Sequence, residues 1–169
     1  MSIKTNTEEL KGIFSTVYQT SNLNISNFEL EQESKEYKAC RFQLKNRTII
    51  YRDSKITPKK VGQFVTFWKR IENGPISPFE EQDTFDYFII NVQKGDLLGQ
   101  FVIPKEVLIK KGIISTQKKE GKRGFRVYPP WDKATSKQAT MTQKWQLLYF
   151  HEAKDQPDLH KILIQNNEL

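Results

Sequence analysis

Cysteine and histidine are nearly absent from this 169-residue chain: Cys40 is the single cysteine, and His151 and His160 are the only histidines. A lone cysteine cannot close an internal disulfide, and one thiol with two remote imidazoles does not make a zinc set. Cys40 sits in a strand-like run with Tyr37, Arg41 and Phe42, which suits a buried structural thiol better than a nucleophile. With both histidines near the C-terminus, a Ser/His/Asp or Cys/His triad is untenable, and no glycine pattern is present that would cradle a phosphate. No cofactor and no resident metal are expected. Also missing is any apolar run approaching the roughly 20 residues of a spanning helix. Met1–Leu10 lacks the apolar stretch of a secretion signal. The expectation is a cytoplasmic protein with no membrane partner. There is no internal repeat, and the length suits one domain over residues 1–169, with a polar tail over 154–169.

What the chain has in excess is positive charge, +7 overall with a pI near 9.4. The charge is concentrated. Residues 38–72 hold 10 basic and 2 acidic side chains, and residues 105–150 hold 11 and 3, so each block carries +8. The segments before, between and after these blocks are all net acidic. Cations gathered into blocks that also contain aromatics form the electrostatic footprint of a polyanion binder. The acidic cluster Glu80, Glu81, Asp83 and Asp86 suits a solvated loop face, with Asp86 at the start of an apolar strand.

The hydrophobic pattern predicts a mixed α/β fold. Leu10, Ile13, Phe14, Val17 and Tyr18 fall at helical spacing over Glu8–Tyr18. Tyr37–Leu44 and Thr48–Asp53 read as two strands around a tight turn, and Phe85–Gln93 with Leu97–Ile103 as a second hairpin. Thr57-Pro58 resembles a helix cap, and Val61, Phe64, Val65, Trp68 and Ile71 fit one apolar helical face, which predicts a helix from Pro58 to Ile71. Lys105–Lys110 reads as a short helix, Phe125–Tyr128 as a strand, Ser136–Phe150 as a helix and Lys161–Ile164 as a short strand. A central mixed sheet flanked by the first helix and the Pro58 helix is expected.

The most informative stretch is Asp53-Ser54-Lys55, at the junction between the second strand and the Pro58 helix. On a strand, a carboxylate two residues before a lysine places both side chains on one face. Metal-dependent nucleases use such an acidic-x-lysine element with a second acid on the neighbouring strand: carboxylates hold the ion and the lysine orients water. The neighbouring strand here supplies Lys38, Cys40, Arg41 and Gln43 but no acid. Arg41 and Arg52 put positive charge where the metal ligand would stand. The pattern favours a site that binds phosphate without cutting. The alternative is a Mg²⁺- or Mn²⁺-dependent nuclease using Asp53, Lys55 and Glu8 or Glu9 from the first helix.

On a Pro58 helix, Lys59, Gln63, Thr66 and Arg70 would form one hydrogen-bonding stripe flanked by Lys60 and Phe67, facing successive phosphates. In the second block, Lys122 and Arg123 lie between glycines in an apparent mobile loop. Beyond them Arg126, Tyr128 and Trp131 combine charge with rings on which unpaired bases could stack. Lys137, Gln138 and Lys144 extend this surface. The expected partner is nucleic acid, with single-stranded DNA or RNA preferred to duplex DNA. An interaction module for an acidic protein is the third reading.

The segments Lys55–Val65, Trp68-Lys69-Arg70, Gly74-Pro75-Ile76, Phe85-Asp86-Tyr87, Gly99–Lys105 and Arg126–Asp132 together resemble the MepB family, a bacterial family named for its place beside a multidrug efflux pump and its repressor. The resemblance spans roughly residues 8–150. It implies a restriction-endonuclease-like core with a degenerate nuclease site and an association with nucleic acid. Asp53 stands where such a fold carries its acidic-x-lysine carboxylate.

Overall fold

The computed structural model describes residues 3–19 and 23–165. Its first element, α1 (Ile3–Val17), contains most of the predicted Glu8–Tyr18 helix and begins five residues earlier. Leu10, Phe14 and Val17 are buried against a six-stranded sheet. At about 1.5–3 kcal/mol for each large apolar side chain removed from water, this stripe, rather than helix propensity, holds α1 in place.

The sheet runs in the order β1 (Ile25–Leu30), β2 (Cys40–Leu44), β3 (Arg47–Asp53), β8 (Tyr87–Lys94), β9 (Leu97–Pro104) and β11 (Phe150–Glu152). Neighbours are antiparallel except β3 and β8, which are parallel. The mixed α/β expectation holds, as do the two hairpins. Ile49–Arg52 of β3 and Tyr87–Val92 of β8 are buried without alternation because both faces of the sheet are covered. The run predicted as a strand from Tyr37 begins only at Cys40, since Lys35–Tyr37 form a 3-10 turn bounded by Ser34 and Lys38 in left-handed conformation.

One core lies between the sheet and α1, where Phe14 contacts Phe42 and Tyr51 edge-on at 5.9 Å. α4 (Leu159–Gln165) closes the same face with Leu159, Ile162 and Leu163 buried. The strand expected over Lys161–Ile164 is therefore a helix. Its apolar residues recur at helical spacing once Leu159 is included, and they fasten the C-terminal segment to the core.

The predicted Pro58 helix does not form. Residues 55–77 make short strands: β4 (Lys55–Ile56), β5 (Gln63–Thr66), β6 (Lys69–Arg70) and β7 (Ile76–Ser77). Gln63, Val65 and Phe67 are buried while Phe64 and Thr66 are half-buried, a period of two. The β-branched and aromatic run Phe64-Val65-Thr66-Phe67 fits both periods, and pairing decides between them. β5 joins β4 and β10 (Gly124–Val127) in a second, three-stranded antiparallel sheet, with Phe125 opposite Val65. Phe67, expected on a helix flank, lies instead between Phe79 and Phe88 with ring centroids 4.4 and 4.2 Å away. Gly62, at φ 82, enters β5 where a Cβ would lie 2.7 Å from the Tyr128 ring.

The second core fills the space between the two sheets, beneath α2 (Lys105–Lys110) and α3 (Lys137–Gln146). The helix expected over Ser136–Phe150 ends at Gln146, and Leu147–Tyr149 turn the chain into β11. Among the described residues, no helix is long and apolar enough to cross a membrane.

Candidate functional site

Alternation along β3 places Ile49, Tyr51 and Asp53 on the face covered by α1, with Ile50 and Arg52 on the other. Asp53 accepts a hydrogen bond of 2.7 Å from the Tyr51 hydroxyl. Lys38 Nζ lies 4.0 Å from Asp53 Oδ2 and 2.8 Å from Glu9 Oε1. Strand β3, the turn before β2 and helix α1 thus bring Asp53, Lys38 and Glu9 together from three places in the sequence. Burial lifts the Asp53 pKa above its ordinary value, opposed by the Tyr51 hydrogen bond and the Lys38 charge. Lys38 is shifted up, chiefly by its hydrogen bond to Glu9.

The cation beside Asp53 is therefore Lys38, not Arg41 or Arg52. Both arginines alternate onto the opposite face of the sheet, and Arg41 donates to the Thr84 carbonyl at 3.2 Å. Of the two acids considered on α1, Glu9 reaches the cluster, whereas Glu8 is exposed and makes no described ion pair. Nor does Lys55 share a face with Asp53. β3 ends at Asp53, Ser54 turns to donate through its hydroxyl to Gln63 and the Asn91 carbonyl, and Lys55 enters the second sheet. Its ammonium lies 4.6 Å from the centre of the Tyr37 ring. A divalent ion between Glu9 and Asp53 would have to displace the Lys38 ammonium. No group of three or more His, Cys, Asp or Glu side chains converges among the described residues. The arrangement as it stands does not fit a hydrolytic metal site.

Most of the first basic block is committed internally. Arg52 is completely buried, paired with Glu31 at 2.7 Å, and donates to Thr66 Oγ1 and the Trp68 carbonyl at 3.1 Å each. It ties β3 to β5 and to the turn after it, so it is no phosphate ligand. Gln63 is also buried, accepting from Ser54 and donating to the Gln93 carbonyl. Arg70 pairs with Glu33 at 2.7 Å and caps the Gly74 carbonyl. The expected stripe of Lys59, Gln63, Thr66 and Arg70 is dispersed because it needed a helix. Lys59 and Lys60 are exposed in the turn before β5 without an ion pair among the described residues, as is Lys45 at the turn between β2 and β3.

The second block gives a different picture. Arg126 does not face solvent freely: its guanidinium donates to the carbonyls of Val61 and Gly62 and to the Thr57 hydroxyl, at 2.9–3.0 Å. It straps the turn carrying Lys59 and Lys60 to β10. Alongside, β10 and α3 enclose a groove of about 340 Å³ whose lining includes Lys111, Lys122, Tyr128, Gln138 and Trp145. Lys122 is exposed and unpaired among the described residues, while Lys111 lies 5.4 Å from the centre of the Trp145 ring. Arg123 pairs with Glu120 at 3.0 Å on the exposed surface, and Lys137 and Lys144 lie on the outer flank of α3.

Trp131 is withdrawn from any stacking role, since its ring packs edge-on against Phe150 at 5.7 Å and its indole nitrogen is buried. Trp145 is the tryptophan beside the cations. Local spacing does not reveal this, because Lys111, just past α2, and Trp145 meet only through the fold. The loop around Lys122 is held rather than loose. Gly121 N–H donates to Ser115 Oγ at 2.7 Å and Lys122 N–H to the Ile113 carbonyl at 2.9 Å.

The fold and site define a mixed α/β protein with a carboxylate–ammonium cluster under its first helix and a cationic groove beside its second sheet. The sequence matches the MepB-like family model over residues 31–152, and the chain belongs to that family. It is similar to the solved structure described as "Crystal Structure of MepB", at 38% identity and a TM-score of 0.75, covering 90% of this chain and 97% of that one. A bacterial homing endonuclease superposes with a TM-score of 0.41 at 13% identity, covering 85% of this chain and 87% of that one. No curated protein matches the sequence.

Proposed function

We propose that this protein binds nucleic acid through the groove between β10 and α3 and does not cut it. The carrying observation is the Arg126 strap: Arg126 lines the groove that holds Lys111 and Lys122, and its guanidinium binds Thr57, Val61 and Gly62 in the turn that carries the exposed Lys59 and Lys60, so one residue links the two basic blocks. Phosphates would supply most of the affinity, which makes binding salt-sensitive and weakly selective for sequence. Tyr128 and Trp145 at the same groove favour a strand whose bases are unpaired, so single-stranded DNA or RNA should bind more tightly than duplex DNA. The reading of the Asp53 cluster as a degenerate nuclease site agrees with the family resemblance and with Lys38 standing between Glu9 and Asp53.

The test is fluorescence anisotropy of labelled single-stranded DNA, RNA and duplex DNA over a salt series. Lys60→Ala with Lys122→Ala should weaken binding and reduce the slope of log K against log salt by about 0.7 for each lost contact to a single strand. An unchanged slope in the double variant would place the binding surface elsewhere. The convergence of Glu9 with Asp53 gives one specific reason to keep the nuclease alternative. Incubation with Mg²⁺ or Mn²⁺ decides it: cleavage that disappears in Asp53→Ala would establish catalysis.

A further inference from the structure

Beside the Glu9–Lys38 pair, α1 and β1 stand apart and leave a cleft of about 360 Å³, open on one side. Leu10 and Ile13 of α1, Phe28 and Leu30 of β1, Cys40 of β2 and Tyr51 of β3 form its walls. Its exposed lining is mainly carbon, and Leu30 is 48% exposed there, an unusual position for a leucine that alternates into a sheet surface. The size falls within the range of small-molecule sites, about 300–1,000 Å³, and the balance of apolar walls with a few polar groups is typical of them.

The rim determines the charge of the occupant. Its two carboxylates are both satisfied: Glu31 is 2.7 Å from the buried Arg52 guanidinium and Glu9 is 2.8 Å from Lys38. The Cys40 thiol is no counter-charge either, because burial pushes its pKa far up and keeps it neutral. What remains without a partner among the described residues is a set of donors: the Lys35 ammonium and the side-chain amides of Asn6 and Gln32. A ligand with one anionic group can take these donors while its body covers Leu30 and Phe28. One with several negative charges would meet Glu9 and Glu31 at close range, so a phosphate chain is disfavoured here.

We infer that this cleft is a binding site for a small amphipathic monocarboxylic acid, with its carboxylate at Lys35 and its apolar body between α1 and β1. The site is separate from the β10–α3 groove and does not depend on nucleic-acid binding. Two probes of this class, 1-naphthoate and octanoate, can be titrated against the full chain by ligand-observed NMR, with 1-naphthylmethylamine as the counterpart of opposite charge. At least one acid should show a single saturable site, and the amine should bind at least about tenfold more weakly. Lys35→Ala should weaken acid binding roughly three- to tenfold. Leu30→Asp, at an exposed wall position, should reduce it at least about tenfold without lowering the melting temperature. Lys60→Ala with Lys122→Ala should leave it unchanged, which separates this site from the groove. Failure of both acids to saturate, equal or tighter binding of the amine, or full affinity in Leu30→Asp would overturn the assignment.

Discussion

Replacing Arg52 with alanine should damage the fold rather than a binding surface. The guanidinium is fully buried and carries the counter-charge of Glu31, whose side chain is itself only 21% exposed. It also serves the Thr66 hydroxyl and the Trp68 carbonyl. Burial lowers the Arg52 pKa and the Glu31 charge and hydrogen bond oppose that shift, which keeps the guanidinium charged at neutral pH. Alanine leaves a carboxylate without its partner and a void between the sheets. Breaking a buried pair from one side costs about 3–5 kcal/mol. For a chain of this size each kcal/mol moves Tm by about 2–4 °C, so Arg52→Ala should melt roughly 10 °C below the parent. Lysine should recover only part of this, because a single ammonium cannot span Glu31, Thr66 and Trp68 together. Arg52→Met combined with Glu31→Leu should recover more than half, since no charge is then stranded. Thermal unfolding followed by circular dichroism, with oligonucleotide binding measured well below Tm, checks all three. An Arg52→Ala protein that keeps the parent's Tm but loses oligonucleotide binding would refute the reasoning and return Arg52 to the interface.

Gly121→Ala should cost about 2 kcal/mol, because its Cβ would collide with the Ile113 carbonyl and come 2.7 Å from the Ser115 nitrogen, both backbone atoms that cannot swing aside; urea denaturation measures it. His151 is held below its ordinary pKa of 6.5 by burial, so the unfolded chain takes up that proton first. Its contribution is fully present above 6.5 and is lost as pH falls from there to the lowered folded value; His151→Gln should flatten the pH dependence of Tm across that window. For Asp53 the sign reverses. Its folded pKa is raised, so the ionised form costs stability above that value and the cost fades as pH falls through it. Asp53→Asn should accordingly raise Tm relative to the parent more at pH 7 than at pH 4, and an equal effect at both would argue against burial as the cause.

The sequence by itself determined what one period could report: α1, the hairpin of β8 and β9, the start of α3, and the mixed α/β class. It also singled out Asp53 and offered Glu8 or Glu9 as its partner acid, because a carboxylate ending a strand and others on the first helix are visible in one dimension; the fold chose Glu9. Residues 63–67 were ambiguous, since Phe64, Val65 and their neighbours satisfy both helical and strand spacing. Pairing with β10, some sixty residues away, resolved them. That pairing also decided which cations are free. Net charge is additive along a chain, but availability is not. Arg52, Arg70 and Arg126 count equally with Lys60 and Lys122 in a composition, yet the first three are consumed by partners that folding delivers from distant segments. Tertiary structure likewise placed Lys38 between two carboxylates and Trp145 beside Lys111, because those neighbours are set by the packing of helices on sheets and have no signature in local spacing.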